Sequence, residues 1–269
     1  MIHKTAIIDS GASVGRDVEI GPFAVIEKDT VIGDGCVIGA HVSVMRYTRL
    51  GKGCRVHAGA VLGDTPQDIG FDGGESHVEI GDGCVIREGV TVHRGTKPGT
   101  TTEIGPGCFL MAFSHCAHNV KLGPGVILAN ATLLGGYVEI GERAFVSGNC
   151  LIHQFCKVGR LVMMGGGSAI TKDVPPFCTI NPLTLNRVAG LNVVGLRRAG
   201  LNVEERQQVR RAFKILYASG KNVTQATEEI RNTIALGPAL EFCDFVAQST
   251  RGLCAMTADS IAALAADGE

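Results

Sequence analysis

Two histidines three residues apart, His115 and His118, and the pair His153–Gln154 are the groups best suited to chemistry in this chain. A neutral imidazole takes a proton from a hydroxyl near pH 7, so His118 is the candidate general base. Residues 118, 136 and 154 are spaced by 18 and 18. Position 136 is a glycine, whose N–H can hold an oxyanion formed at an acyl carbonyl. Asn119 and Tyr137 sit one position along on successive coils. A single turn histidine is ordinary surface decoration, but His115, His118, His153 and Gln154 grouped on neighbouring coils argue for a site. A zinc site is the competing reading. On a β-helix turn, the His115–His118 spacing does not aim both rings at one ion, so no metal and no cofactor are expected.

These spacings matter only if the backbone repeats. Stepping by six from Ile8 to Ile170 gives 28 positions, and only Asp68, Gly74, Pro98 and Cys116 are not Ile, Leu, Val or Met. Neither a helical nor a strand period yields this, whereas a hexapeptide β-helix does. Three hexads close one triangular coil, so residues 18 apart stack about 4.8 Å from each other. His118, Gly136 and Gln154 then form one column about 10 Å long. By the same spacing His57 and His93, 36 apart, are expected to stack in another column. Glycine commonly follows the aliphatic position (Gly21, Gly33, Gly105, Gly141), as a turn with unusual φ requires. Asp68–Gly74 and Arg94–Thr102 interrupt the pattern and read as extruded loops, which are often functional.

The repeat ends near Lys172-Asp173-Val174-Pro175-Pro176. Helical spacing follows over 202–219, where Asn202 and Glu205 form a capping box and Gly220 is the C′ residue. Further helices are expected over 224–236 and 238–249. The domains are therefore a β-helix over 1–186, a small helical domain over 187–253, and an Ala-rich tail over 254–269 that is expected to fray. Residues 187–231 carry nine Lys/Arg against four Glu, which is either a solvated helix face or a docking surface for an acidic partner.

The net charge of −1 argues against nucleic-acid binding, and no apolar run is long enough to span a membrane. The N-terminus has no apolar signal core, so a cytoplasmic protein is expected. Six of the ten Cys fall in one small-residue column (36, 54, 84, 108, 150 and 156). That placement makes them buried thiols and not disulfides.

Phe113–Asn119, Ile127–Asn130, His153–Phe155, Asp173–Pro176 and Ser249–Leu253 together resemble the UDP-N-acetylglucosamine O-acyltransferases of lipid A biosynthesis, over nearly the whole chain to Leu253. The resemblance implies a left-handed coil and a homotrimer with sites between neighbouring prisms. It implies transfer of a 3-hydroxyacyl group from acyl carrier protein to the 3-position of UDP-N-acetylglucosamine. It makes His118 the base and Gly136 the oxyanion donor. Gln67, Asp68, His115, His153 and Gln154 match substrate positions, Asn192 and Arg198 nucleotide-side positions, and Gly166 the position that limits acyl length. Asn119 stands where the family commonly has Asp, Gly70 where it has Lys, Tyr137 where it has His, Val194 where it has Glu, and Ala199 where it has Arg. These departures cluster around the acceptor. They leave an amino-sugar nucleotide as an alternative acceptor, and a non-catalytic binding scaffold as an alternative class.

Overall fold

The computed structural model describes residues 1–235 and 237–266. Short strands, mostly of two residues, recur along the repeat and form three sheets of nine, eight and eleven strands, parallel throughout the repeat. Successive strands enter the three sheets in rotation, so each sheet pairs residues from consecutive coils: His115 with Leu133, and Leu133 with Leu151. The coil is a left-handed parallel β-helix. In each two-residue strand the second residue points inward. Ile86, Leu110, Leu128 and Val146 stack with no exposed surface. Each buried aliphatic side chain contributes about 1.5–3 kcal/mol by leaving water, and the stacking makes one continuous core.

The two interruptions are loops, the second ending before Thr101, which starts a strand paired with His77, and they explain why the sequence register survives them. Stacked partners are normally 18 apart, but Leu62 pairs with Val92 across 30 residues and Val92 with Cys116 across 24. The insertions are twelve and six residues long, both multiples of the period. His57 therefore does not stack on His93. It follows Val56 in the third sheet, whereas His93 ends a strand of the first, so the two lie on different edges of the prism.

The glycine column also has a different cause from the one expected. Gly105 and Gly141 lie outside the positive-φ region, but a Cβ there would come within 2.7 and 2.5 Å of the next coil's backbone. Close coil approach excludes the side chain. The left-handed φ occurs two residues later in each turn, at Asn119, Tyr137, Arg143 and Phe155 among others. These non-glycine residues tolerate it because the coils on either side fix the turn.

The outward positions of the three sheets differ in character. The second sheet shows Arg49, Glu79, Glu103, Lys121, Glu139 and Lys157, with ion pairs Lys121–Glu103 at 2.9 Å and Lys157–Glu139 at 3.2 Å. The third shows Val85, Phe109, Ile127, Phe145 and Met163, and the first includes the exposed Leu133 and Leu151. Within the repeat the third face is apolar apart from Glu19 and Arg55, the first mixes apolar residues with Ser43, Thr91 and His115, and the second is mostly charged.

Beyond the repeat, Arg187–Leu191 is a strand that extends the third sheet antiparallel to Cys178–Ile180. Helices follow: α1 (Val193–Arg198), α2 (Val203–Ala218), α3 (Val223–Thr233) and α4 (Glu241–Gln248). The Asn202–Glu205 capping box forms, and Asn222 with Gln225 makes a second. The helix expected to reach 236 ends at Thr233, and Leu236 itself lies outside the described residues. The frayed-tail expectation gives way to order as far as Ala266. Cys254 is buried, Ala255–Met256 pairs with Arg187–Val188, and α5 (Ala258–Ala266) packs on α2. Backbone pairing and burial of Met256 supply what the Ala-rich composition does not signal. Residues 267–269 lie outside the described residues.

All ten cysteines are free and buried. Burial raises the Cys116 and Cys254 thiols to about 12. Burial keeps reagents from all ten, so the native protein should leave them unlabelled by an aromatic disulfide reagent at pH 8, and denaturant should release ten. Rapid labelling of several thiols in the native state would contradict this core.

Candidate active site

The edge between the first and second sheets carries the column anticipated from spacing. His118 lies in the turn after His115–Cys116, Gly136 in the turn after Leu133–Leu134, and Gln154 in the turn after Leu151–Ile152. The backbone N–H of Tyr137 donates to the His118 carbonyl at 3.0 Å, and that of Phe155 to the Gly136 carbonyl at 2.9 Å. The His118 ring rests against Gly136. A Cβ there would meet ring Cε1 at 2.4 Å and Nε2 at 2.6 Å, so only glycine fits under this imidazole. At equivalent turns an Asp of the next coil takes the amide, as Asp34 does for Arg16 and Asp82 for Lys52. Residue 154 is Gln, and no bond from it to the Gly136 N–H is present.

Asn119 orients the ring. Its Oδ1 accepts from the Thr96 N–H at 3.0 Å and lies 3.1 Å from His118 Nδ1. The Thr96 donor fixes which end of the amide faces the ring, so Nδ1 must carry the proton. Nε2 is left with its lone pair. The Thr96 hydroxyl donates to Asp68 Oδ2 at 2.6 Å, and that oxygen is 3.9 Å from His118 Nε2. The Thr96 hydroxyl, the Gly70 N–H and the His118 ring together hold the Asp68 carboxyl below its ordinary pKa. Tyr137 packs edge-on against the ring at 5.3 Å and stacks on Phe155 at 5.1 Å.

Beside this edge runs an open groove of about 590 Å³. Gln67, His115, His118, Gly136, His153 and Gln154 line its polar side, and Leu133, Leu151 and Ala169 its apolar side. His115 Nδ1 is 2.7 Å from the Thr91 hydroxyl, and its ring meets the buried His93 edge-on at 4.8 Å. Burial, with His93 beside it, pushes the His115 pKa down to about 4.

Three expected site residues lie elsewhere on the same chain. Gly166 is in a turn between the third and first sheets, and a Cβ there would meet nothing closer than 3.5 Å. Asn192 caps α1 by accepting from Gly195 N–H, while its Nδ2 donates to the Leu161 carbonyl on the edge between the second and third sheets. The exposed Arg198 takes the Arg143 guanidinium on its carbonyl at that same edge. One protomer thus distributes the expected residues over all three edges. Thr96 and Thr91 carry no sequence expectation, and the one for His93 is a stack on His57, not a meeting with His115. The two-loop interruption was the only signal for Thr96.

The prism and this edge define a hexapeptide-repeat acyltransferase. The family model described as UDP N-acetylglucosamine O-acyltransferase, domain 2, matches residues 173–254, and the bacterial transferase hexapeptide model matches 29–64. The acyl-acyl-carrier-protein–UDP-N-acetylglucosamine O-acyltransferase of Halorhodospira halophila is 39% identical over 254 residues, 94% of this chain and 98% of that one. The UDP-N-acetylglucosamine acyltransferase structure from Bacteroides fragilis matches with a TM-score of 0.89 at 38% identity, covering 94% of this chain and 99% of that one. The Campylobacter jejuni structure gives 0.89 at 36% identity, covering 96% and 100%. The chain belongs to the acyl-acyl-carrier-protein–UDP-N-acetylglucosamine O-acyltransferase family.

The depressed His115 pKa has a definite sign. The unfolded chain takes a proton near the ordinary histidine value and the folded one only near 4, so His115 favours folding fully above pH 6.5 and progressively less as pH falls toward 4. In an NMR titration the His115 ring signals should stay unmoved from pH 8 to 5.5. Titration near 6.5 would contradict the burial argument.

Proposed function

We propose that this chain transfers a 3-hydroxyacyl group from acyl carrier protein to the 3-hydroxyl of UDP-N-acetylglucosamine, with His118 as general base and the Gly136 N–H as oxyanion donor. The observation that carries this reading is the His118 imidazole packed on Gly136 with Nδ1 tied to Asn119 and Nε2 free. Nε2 takes the proton of the acceptor hydroxyl as the oxygen attacks the thioester carbonyl. Negative charge collects on the carbonyl oxygen beside the unclaimed Gly136 amide. The C–S bond then breaks, the carrier thiolate takes the proton back from the ring, and an ester remains. Asn119 orients the base but brings no charge. The ionised Asp68 on the Nε2 side can stabilise the transient imidazolium, a role the family commonly gives to an acid after the base.

The apolar groove wall of Leu133, Leu151 and Ala169 suits the acyl chain, with His115, His153 and Gln154 as polar contacts beside it. Gln67 and Asp68 would hold the sugar. Gly166 leaves room for a long chain, and Asn192 and Arg198 would act on the nucleotide side. Because these last three occupy other edges, they reach the groove only from a neighbouring copy. A largely apolar third face, a first face with exposed Leu133 and Leu151, and a charged second face suit a closed ring in which the third sheet of one copy packs on the first sheet of the next, giving a homotrimer. Such a trimer leaves the ion-paired second sheet in water. The cytoplasm is the compartment that fits ten free thiols.

His118→Ala should lower transfer by about 10²- to 10⁴-fold while the thermal midpoint stays within a few degrees. Turnover near the native rate would exclude the base. A panel of UDP-sugars, the 3-amino analogue included, identifies the acceptor. Exclusive use of the amine would replace the hydroxyl reading. Light scattering should give about three times the 28.1 kDa chain mass, and a monomeric active enzyme would remove the shared-site argument.

A further inference from the structure

The Ser249–Leu253 segment, although part of the resemblance, has no role in the scheme above. It returns from the helices to the prism and crosses beside the groove. Asp173, wholly buried, anchors it. Its Oδ2 accepts from the Ser249 hydroxyl at 2.6 Å and the Arg251 amide at 3.3 Å, and its Oδ1 accepts from the Lys157 amide at 2.7 Å. The Arg251 side chain is thereby delivered to the site. Its Nε–H donates to the Thr171 carbonyl at 3.3 Å, and its Nη2 lies 3.2 Å from His153 Nδ1. Thr171 and His153 both line the groove.

Guanidinium nitrogens only donate, so the Arg251 bond requires a lone pair on His153 Nδ1. The same Nδ1 is 3.1 Å from the Gln154 carbonyl, which only accepts and would require an N–H there. The two bonds are mutually exclusive. The one to the cation is charge-assisted and about twice as strong as a neutral bond, so it wins. In the neutral ring the proton then sits on Nε2, the nitrogen left for a ligand.

We infer that Arg251 is a positioning residue that fixes His153 as its Nε2–H tautomer, making His153 a hydrogen-bond donor to an oxygen of the acyl group lying along Leu133 and Leu151. The ligand assignment rests on the acyl-transfer reading, whereas the tautomer does not. Removing the guanidinium frees Nδ1 to donate to Gln154, and Nε2 becomes an acceptor. The groove then presents the wrong polarity to a carbonyl oxygen.

Long-range ¹H–¹⁵N NMR on full-length protein with labelled histidine reads the tautomer directly, with His153→Gln giving the assignment. The native ring should carry its proton on Nε2, and Arg251→Met should move it to Nδ1. Arg251→Lys, still a donor-only cation, should restore Nε2–H. Arg251→Met should also raise KM for the acyl donor about fivefold, the size of one neutral hydrogen bond, with kcat within about twofold. A native Nδ1–H, or an unchanged tautomer in Arg251→Met, overturns the inference. Should that variant fail to fold, the native and Arg251→Lys spectra still decide. A protein that transfers no acyl group from any donor would sink the functional reading and leave the tautomer result standing.

Discussion

The site depends on one steric fact: the His118 ring lies on a coil edge where the next coil has no side chain. As the ring is seated, a Cβ on residue 136 would come within 2.4 Å of it. Gly136 therefore does two things at once. It opens a seat for the ring, and it leaves its own N–H beside that ring. Ring and amide are both positioned by backbone stacking, so in the proposed transfer little reorganisation is needed when charge develops.

The electrostatics follow from the two extruded loops. Thr96, from the second loop, bonds Asn119 through its amide and Asp68 through its hydroxyl. A single residue thus fixes the ring tautomer on the Nδ1 side and holds a carboxylate on the Nε2 side. The departure at Asn119 moves the negative charge and does not abolish it. An imidazole flanked this way has an oriented lone pair and a carboxylate within reach of its protonated form.

Much of this was legible in the sequence because a six-residue period is unambiguous and both insertions preserve it. The column of 118, 136 and 154 followed from counting alone, since no insertion falls between them. Counting failed for His57 and His93, where twelve extra residues intervene. It also misassigned the cause of the glycine column. Composition shows that a residue is small, but not whether torsion or a neighbouring coil demands it. Thr96 and the Arg251–His153 contact were hidden because loops and long-range crossings carry no period. The ordered end was hidden because Ala-rich composition does not report strand pairing. Gly166 falls twelve residues after Gln154, so counting already puts it on another edge, whereas Asn192 and Arg198 lie beyond the repeat, where counting gives no position.

The most direct test of the central claim is the single-turnover rate of acyl transfer by Gly136→Ala. The added methyl displaces the His118 ring and crowds the amide, while the turn keeps a φ that alanine adopts. The rate should fall by about 10²-fold or more with native stability and assembly retained. A variant that folds, assembles and transfers at the native rate would show that the ring on Gly136 is not where the chemistry is done.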